Sequence, residues 1–161
     1  MARKKPNKKL GKGPGKIPPP VCKAILLCDA VLADPFSGKS SIVGIFEQFM
    51  VPKFPGMTAQ FFVYVQMTSG IGRYRIMIEV RNVEQDQSIA TANVAEMEFK
   101  DRAHKNILIL PVPPLPLPRA GEYDFIVLAD GQEIDRQKFM AVQIPENPNA
   151  ASTPTPTKEQ E

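Results

Sequence analysis

His104 is the only histidine of the chain, and Cys22 and Cys28 are its only cysteines. These are the side chains best suited to soft-metal ligation or to proton transfer near neutral pH. A zinc site closed by Cys and His needs about four such ligands at close spacing, so zinc-stapled modules are excluded. His104 stands in Asp101-Arg102-Ala103-His104-Lys105, a polar cluster ahead of an apolar run, with no Gly-x-Ser-x-Gly elbow anywhere to accompany it. It reads as an exposed loop residue.

The carboxylates are equally unfocused. Residues 21–145 hold 14 acidic and 12 basic side chains, and no spacing singles out a pair for glycosidase-type acid and base work. Glu84, Asp86, Asp130 and Asp135 fall in turn-rich stretches where acidic loops hold calcium in other proteins, but their spacing matches no calcium loop. Gly70-Ile71-Gly72 lacks the third glycine and the following helix that place a pyrophosphate on backbone amides, so it reads as a hairpin loop. No catalytic residue, cofactor or metal is expected.

Charge is distributed unevenly. Arg3, Lys4, Lys5, Lys8, Lys9, Lys12 and Lys16 give residues 1–20 a charge of +7, whereas residues 21–145 and 146–161 each carry −2. Any attraction to polyanions therefore belongs to the N-terminal arm. The arm has no aromatic residue for stacking and no helical stripe to enter a groove, so base-specific reading is not expected of it.

Prolines and glycines crowd residues 1–20, and Pro148, Pro154 and Pro156 punctuate a last segment without large apolar residues, so both ends read as disordered tails. Between them, residues 21–145 suffice for one self-supporting core. There the apolar residues alternate. Phe61, Val63, Val65 and Met67 share one face; Tyr74, Ile76, Ile78 and Val80 another; Tyr123, Phe125, Val127 and Ala129 a third. Asp130-Gly131 supplies a tight hairpin turn before a return strand at 133–144, and Asp34-Pro35-Phe36-Ser37-Gly38 supplies another turn. Runs at 21–32, 41–51, 88–99 and 106–110 complete about eight strands, with parity breaks between Val94 and Met97 and between Phe139 and Met140 suggesting bulges or strands covered on both faces. The expectation is an all-β fold, an antiparallel β-sandwich of immunoglobulin-like or C2-like type.

Two apolar features remain. Pro111 to Pro118 contains overlapping PxxP patterns suited to an aromatic groove, yet Val112, Leu115 and Leu117 alternate as in a segment packed on the core, which is the preferred reading. Phe62 and Tyr64, and likewise Ile126 and Leu128, lie opposite the core-facing sets. Either other chain segments cover them or they form a binding or dimer patch.

Cys22 and Cys28 lie about 20 Å apart on one extended strand, beyond a disulfide's reach, which fits thiols in a reducing cytoplasm. Lys23 and Asp29 interrupt the apolar run after the basic arm, which argues against a secretory signal, and Leu27 before Cys28 argues against a lipoprotein cleavage site. No run approaches the roughly 18 apolar residues of a membrane span.

Leu27-Cys28-Asp29-Ala30, Gly38-Lys39 leading to Ile42-Val43-Gly44-Ile45-Phe46, Pro52 to Pro55, the Phe61-Phe62-Val63-Tyr64-Val65 strand and Pro118-Arg119-Ala120-Gly121-Glu122-Tyr123-Asp124-Phe125 follow in a familiar order. Over roughly residues 22–145 the chain resembles an uncharacterised bacterial β-sandwich family, a domain of unknown function. The resemblance implies a small bacterial cytoplasmic protein and brings no catalytic residue with it. The expected function is a non-catalytic binding module for another protein or a second copy. The alternative is an accessory protein that holds nucleic acid through its basic arm.

Overall fold

The structure, a computed structural model, describes residues 18–145. All its regular elements are strands: β1 (Val21–Ala33), β2 (Ser40–Ile45), β3 (Gln48–Val51), β4 (Gly56–Met57), β5 (Phe61–Thr68), β6 (Gly72–Asn82), β7 (Gln87–Phe99), β8 (Asn106–Val112), β9 (Pro116–Leu117), β10 (Gly121–Ala129) and β11 (Gln132–Gln143). A four-stranded sheet has the order β2-β1-β5-β8, and a five-stranded sheet the order β3-β11-β10-β6-β7; β4 and β9 pair as a short ribbon. The all-β expectation holds.

The alternation in the sequence becomes a shared core between the two sheets. Phe61, Val63, Val65 and Met67 from β5 meet Tyr74, Ile76, Ile78 and Val80 from β6 and Tyr123, Phe125 and Val127 from β10 in one buried cluster. Each of these side chains contributes about 1.5–3 kcal/mol on burial. Phe46, Phe49, Phe61 and Phe139 join it through edge-to-face contacts with centroids 4.7 to 5.9 Å apart, and Tyr123 stacks on Phe139 at 5.4 Å.

Two turns have the chemistry their sequences call for. Asp130 and Gly131 both take positive φ, 49° and 78°, as a two-residue hairpin loop matched to strand twist requires. In the β1–β2 turn, Asp34 accepts hydrogen bonds from the Phe36 amide at 2.9 Å and the Ser37 hydroxyl at 2.5 Å.

Four expectations need correction. The run 41–51 is not one strand: at Phe46 and Glu47 the chain switches sheets, with the Phe46 amide bonding back to the Leu27 carbonyl at 3.0 Å. As a result β3 lies parallel to β11, so the five-stranded sheet is mixed rather than antiparallel. The described residues also form eleven strands rather than about eight, partly because backbone pairing of Gly56–Met57 with Pro116–Leu117 leaves no trace in side-chain alternation. The parity break near Val94 is a bulge against β6, but Phe139 and Met140 sit in regular register; the irregularity on β11 falls earlier, at Ile134.

The proline-rich segment belongs to the core. Val112, Leu115 and Leu117 are buried, and Leu115 and Thr58 exchange hydrogen bonds at 2.9 and 3.0 Å. Residues 18–20, assigned by composition to the basic arm, lie against the sheets: Pro20 is buried and the Pro18 carbonyl accepts from the Tyr74 hydroxyl at 2.9 Å.

Candidate interaction surface

The outward faces of the two sheets differ in chemistry. On the four-stranded sheet, strand pairing aligns Ile45, Cys28, Phe62 and Pro111 in one row, and Leu26, Tyr64 and Ile109 in the next. Ala24, Gln66 and Ile107 form a third row. None of these positions carries Asp, Glu, Lys, Arg or His.

The outward face of the five-stranded sheet is a network of charge. Arg136 donates to Asp124 at 2.6 Å and to Glu133 at 2.7 Å, Arg81 reaches Glu79 at 2.8 Å and Asp86 at 2.9 Å, and Lys138 pairs with Glu122. These partners hold the Arg81, Arg136 and Lys138 cations more firmly than usual, mainly through the hydrogen bonds to Glu79, Glu133 and Glu122 respectively. Ile126 lies between Arg136 and Glu79 in the strand register and is only 2% exposed.

The four residues of the expected patch therefore do not form one surface. Phe62 and Tyr64 lie on the uncharged face; Ile126 and Leu128 lie on the charged one. Tyr64 is 8% exposed and Phe62 half-buried, because Leu26 and Ile109 flank Tyr64 on neighbouring strands. The apolar exposure that residue counting overlooked increases towards β2, at Leu32, Val43 and Ile45. Its signal was available: Ser40 to Ile45 holds no charged residue. Arg3, Lys4, Lys5, Lys8, Lys9, Lys12 and Lys16 lie outside the described residues.

The residues weighed for chemistry stay apart. His104 sits exposed in the β7–β8 loop, where its backbone amide donates to Asp101 at 2.8 Å. Glu84 and Asp86 occupy the β6–β7 turn, whereas Asp130 lies at the far end of β10, since Tyr123 pairs with Asn82 near one end and Ala129 with Ile76 near the other. Among the described residues, no three His, Cys, Asp or Glu side chains converge on a possible ion position. Gly70-Ile71-Gly72 joins β5 to β6 as a loop, with Phe99 packed against Gly70.

Cys22 and Cys28 are free thiols on opposite faces of β1, because a bulge between Cys22 and Ala24 turns Cys22 inward. Burial, followed by the nearby Asp135 charge, pushes the Cys22 thiol up to about 11. A cleft of about 310 Å³ opens between β7 and the β8 segment, lined by Ile78, Val80, Ala90, Leu110, Val112 and Phe125 among others, with Thr91 its only hydroxyl. It offers apolar contact, and no acidic or basic side chain lines it. No helix among the described residues is long and apolar enough to cross a membrane.

No curated protein matches the chain. A family model does, over residues 23–142, which span β1 to β11 and both outward faces. On that match the chain belongs to DUF6941, a family of unknown function.

Proposed function

We propose that this chain is a non-catalytic β-sandwich that works by binding protein through the outward face of its four-stranded sheet. One observation carries the reading: the paired positions of that face carry no formal charge across all four strands and, Gln66 apart, are apolar, while the opposite face is a network of ion pairs. Water-facing sheets in antiparallel folds ordinarily carry polar residues on the outer face, and a contiguous apolar patch marks an interaction site. The immunoglobulin-like or C2-like reading draws support from the shared core of two sheets. It also draws support from Tyr123, whose hydroxyl donates to the Arg119 carbonyl at 2.9 Å in the manner of a tyrosine corner. A bacterial cytoplasmic setting fits the two thiols.

The test pairs two variants. Phe62→Lys with Ile107→Lys places charge on the uncharged face, and Met77→Lys with Leu128→Lys places it on the charged one. With melting temperatures compared first, the former pair is expected to lose bound protein in affinity capture from the native host and the latter to retain it. Equal retention by both would remove the face from consideration.

The seven cations of residues 3–16 support a second reading, nucleic-acid association through the arm. Salt-titrated RNA and DNA binding by the full chain and by a chain with these residues changed to Gln decides it. Equal affinities would end that reading.

A further inference from the structure

We infer that a second copy of this chain joins it edge to edge through β2 and so continues the uncharged face across two copies. The inference rests on the face reading above and goes beyond it in naming both the partner and the strand. β1 pairs with β5 only as far as Cys28; from Ala30 to Ala33 its one partner is β2. Residues 30–43 therefore form a two-stranded arm extending past the four-stranded ladder, and an isolated two-stranded hairpin is marginal in water. The arm is also where apolar exposure is greatest: Phe36 is 98% exposed, Leu32 64%, Val43 50% and Ile45, beside it, 57%.

Among the described residues the edge of β2 is open, and it is interrupted only at Gly44, where the pairing with Asp29 is missing from the ladder. Ser40 to Ile45 contains no charge and no proline. The other three open edges are guarded: β3 has four residues, β7 is bulged at Ile89 and Val94, and β8 ends at Pro111 and Val112 ahead of two more prolines. The Asp34 amide bonds to the Lys39 carbonyl at 2.8 Å, which sets the alternation of the ladder as far as Ala30 and Val43; it reverses at Asp29 and Gly44, beyond which the Phe46 amide bonds to the Leu27 carbonyl. Ala30 and Val43 then face each other as a bonded pair, leaving the Ile42 amide pointing out from the edge.

A second copy fits this edge because the match is isologous. Two β2 strands running antiparallel across a two-fold axis satisfy each other's free amides and carbonyls, and join two four-stranded sheets into one continuous sheet. Ser41, Ile42 and Val43 of both copies then meet, uncharged against uncharged. The ends of the chain are poor substitutes, since residues 1–17 carry seven cations and residues 146–161 no large apolar side chain.

Light scattering on the full chain across micromolar concentrations tests the inference, using the wild type, Val43→Lys and the Phe62→Lys, Ile107→Lys pair. The expected result is twice the chain mass for wild type and a single chain mass for Val43→Lys, with unchanged circular dichroism. Exchange of the Ile42 amide provides a check that does not depend on a variant folding: it is expected to slow at high concentration. A wild type of single chain mass with fast Ile42 exchange throughout would overturn the inference, and the capture experiment would still judge the face separately. A Val43→Lys chain that remains double while the Phe62 and Ile107 pair becomes single would overturn the β2 edge and leave the face reading standing.

Discussion

Gly44 on β2 lies directly against the carboxylate of Asp29 on β1, with a φ of 67° that other residues rarely adopt. A Cβ at this position would collide with the Asp29 side chain. Two requirements, a left-handed backbone and close approach, thus meet where the hairpin arm leaves the four-stranded ladder. Gly44→Ala is expected to destabilise the fold by about 1–3 kcal/mol, measured by chemical denaturation. A change below a few tenths of a kcal/mol would show that the arm adapts freely.

The ion pairs on the charged face are unequal. Asp124 has a side chain only 5% exposed, one oxygen held by Arg136 at 2.6 Å and the other without a hydrogen-bond partner. Arg136→Ala would leave that buried carboxylate without its cation and is expected to cost about 1–3 kcal/mol. Arg73 and Glu96, both well exposed and 3.5 Å apart, form a surface pair, and Arg73→Ala is expected to stay within about 0.5 kcal/mol. Urea titrations of the two variants check the order, and equal losses would contradict it.

Cys22 gives a pH dependence with a definite sign. Its thiol is raised from 9.0 to about 11, first by burial and then by Asp135, so the folded chain holds the proton more tightly than the unfolded one. The associated stability is complete below about pH 9 and is lost as pH rises towards 11. At pH 8, alkylation of Cys22 is expected to run roughly ten- to a hundredfold slower than in the denatured chain, as the thiolate fraction dictates. Mass spectrometry of timed iodoacetamide reactions reads this directly, and equal rates would contradict it.

Leu117 anchors the proline-rich segment. It is fully buried, its strand β9 pairs with β4, and Leu115 is tied to Thr58 beside it. Leu117→Ala is expected to cost about 2–4 kcal/mol in a denaturation series. A cost near zero would indicate a segment resting loosely on the surface.

The sequence made the core legible because the β5, β6 and β10 alternation has period 2 and each strand has one face turned inward. The split of 41–51 was hidden, since Ser40 to Val51 is apolar on both sides of Phe46 and nothing in residue type marks a change of sheet. The patch was only half legible. Alternation shows that Phe62 and Ile126 both face away from the core, but not that they face away in opposite directions; that requires strand order. Nor does it show that Arg81 and Arg136, distant in sequence, flank Ile126 with their ion pairs.

On the proposed function, the uncharged face of the four-stranded sheet is the surface this protein binds with. Site-specific photo-crosslinking in the native host tests it most directly, with a photoreactive side chain placed in turn at Ile107 on that face and at Met77 on the charged one. Discrete adducts from position 107 and none from position 77 are the expected result. Adducts from position 77 alone, or none from either, would contradict it.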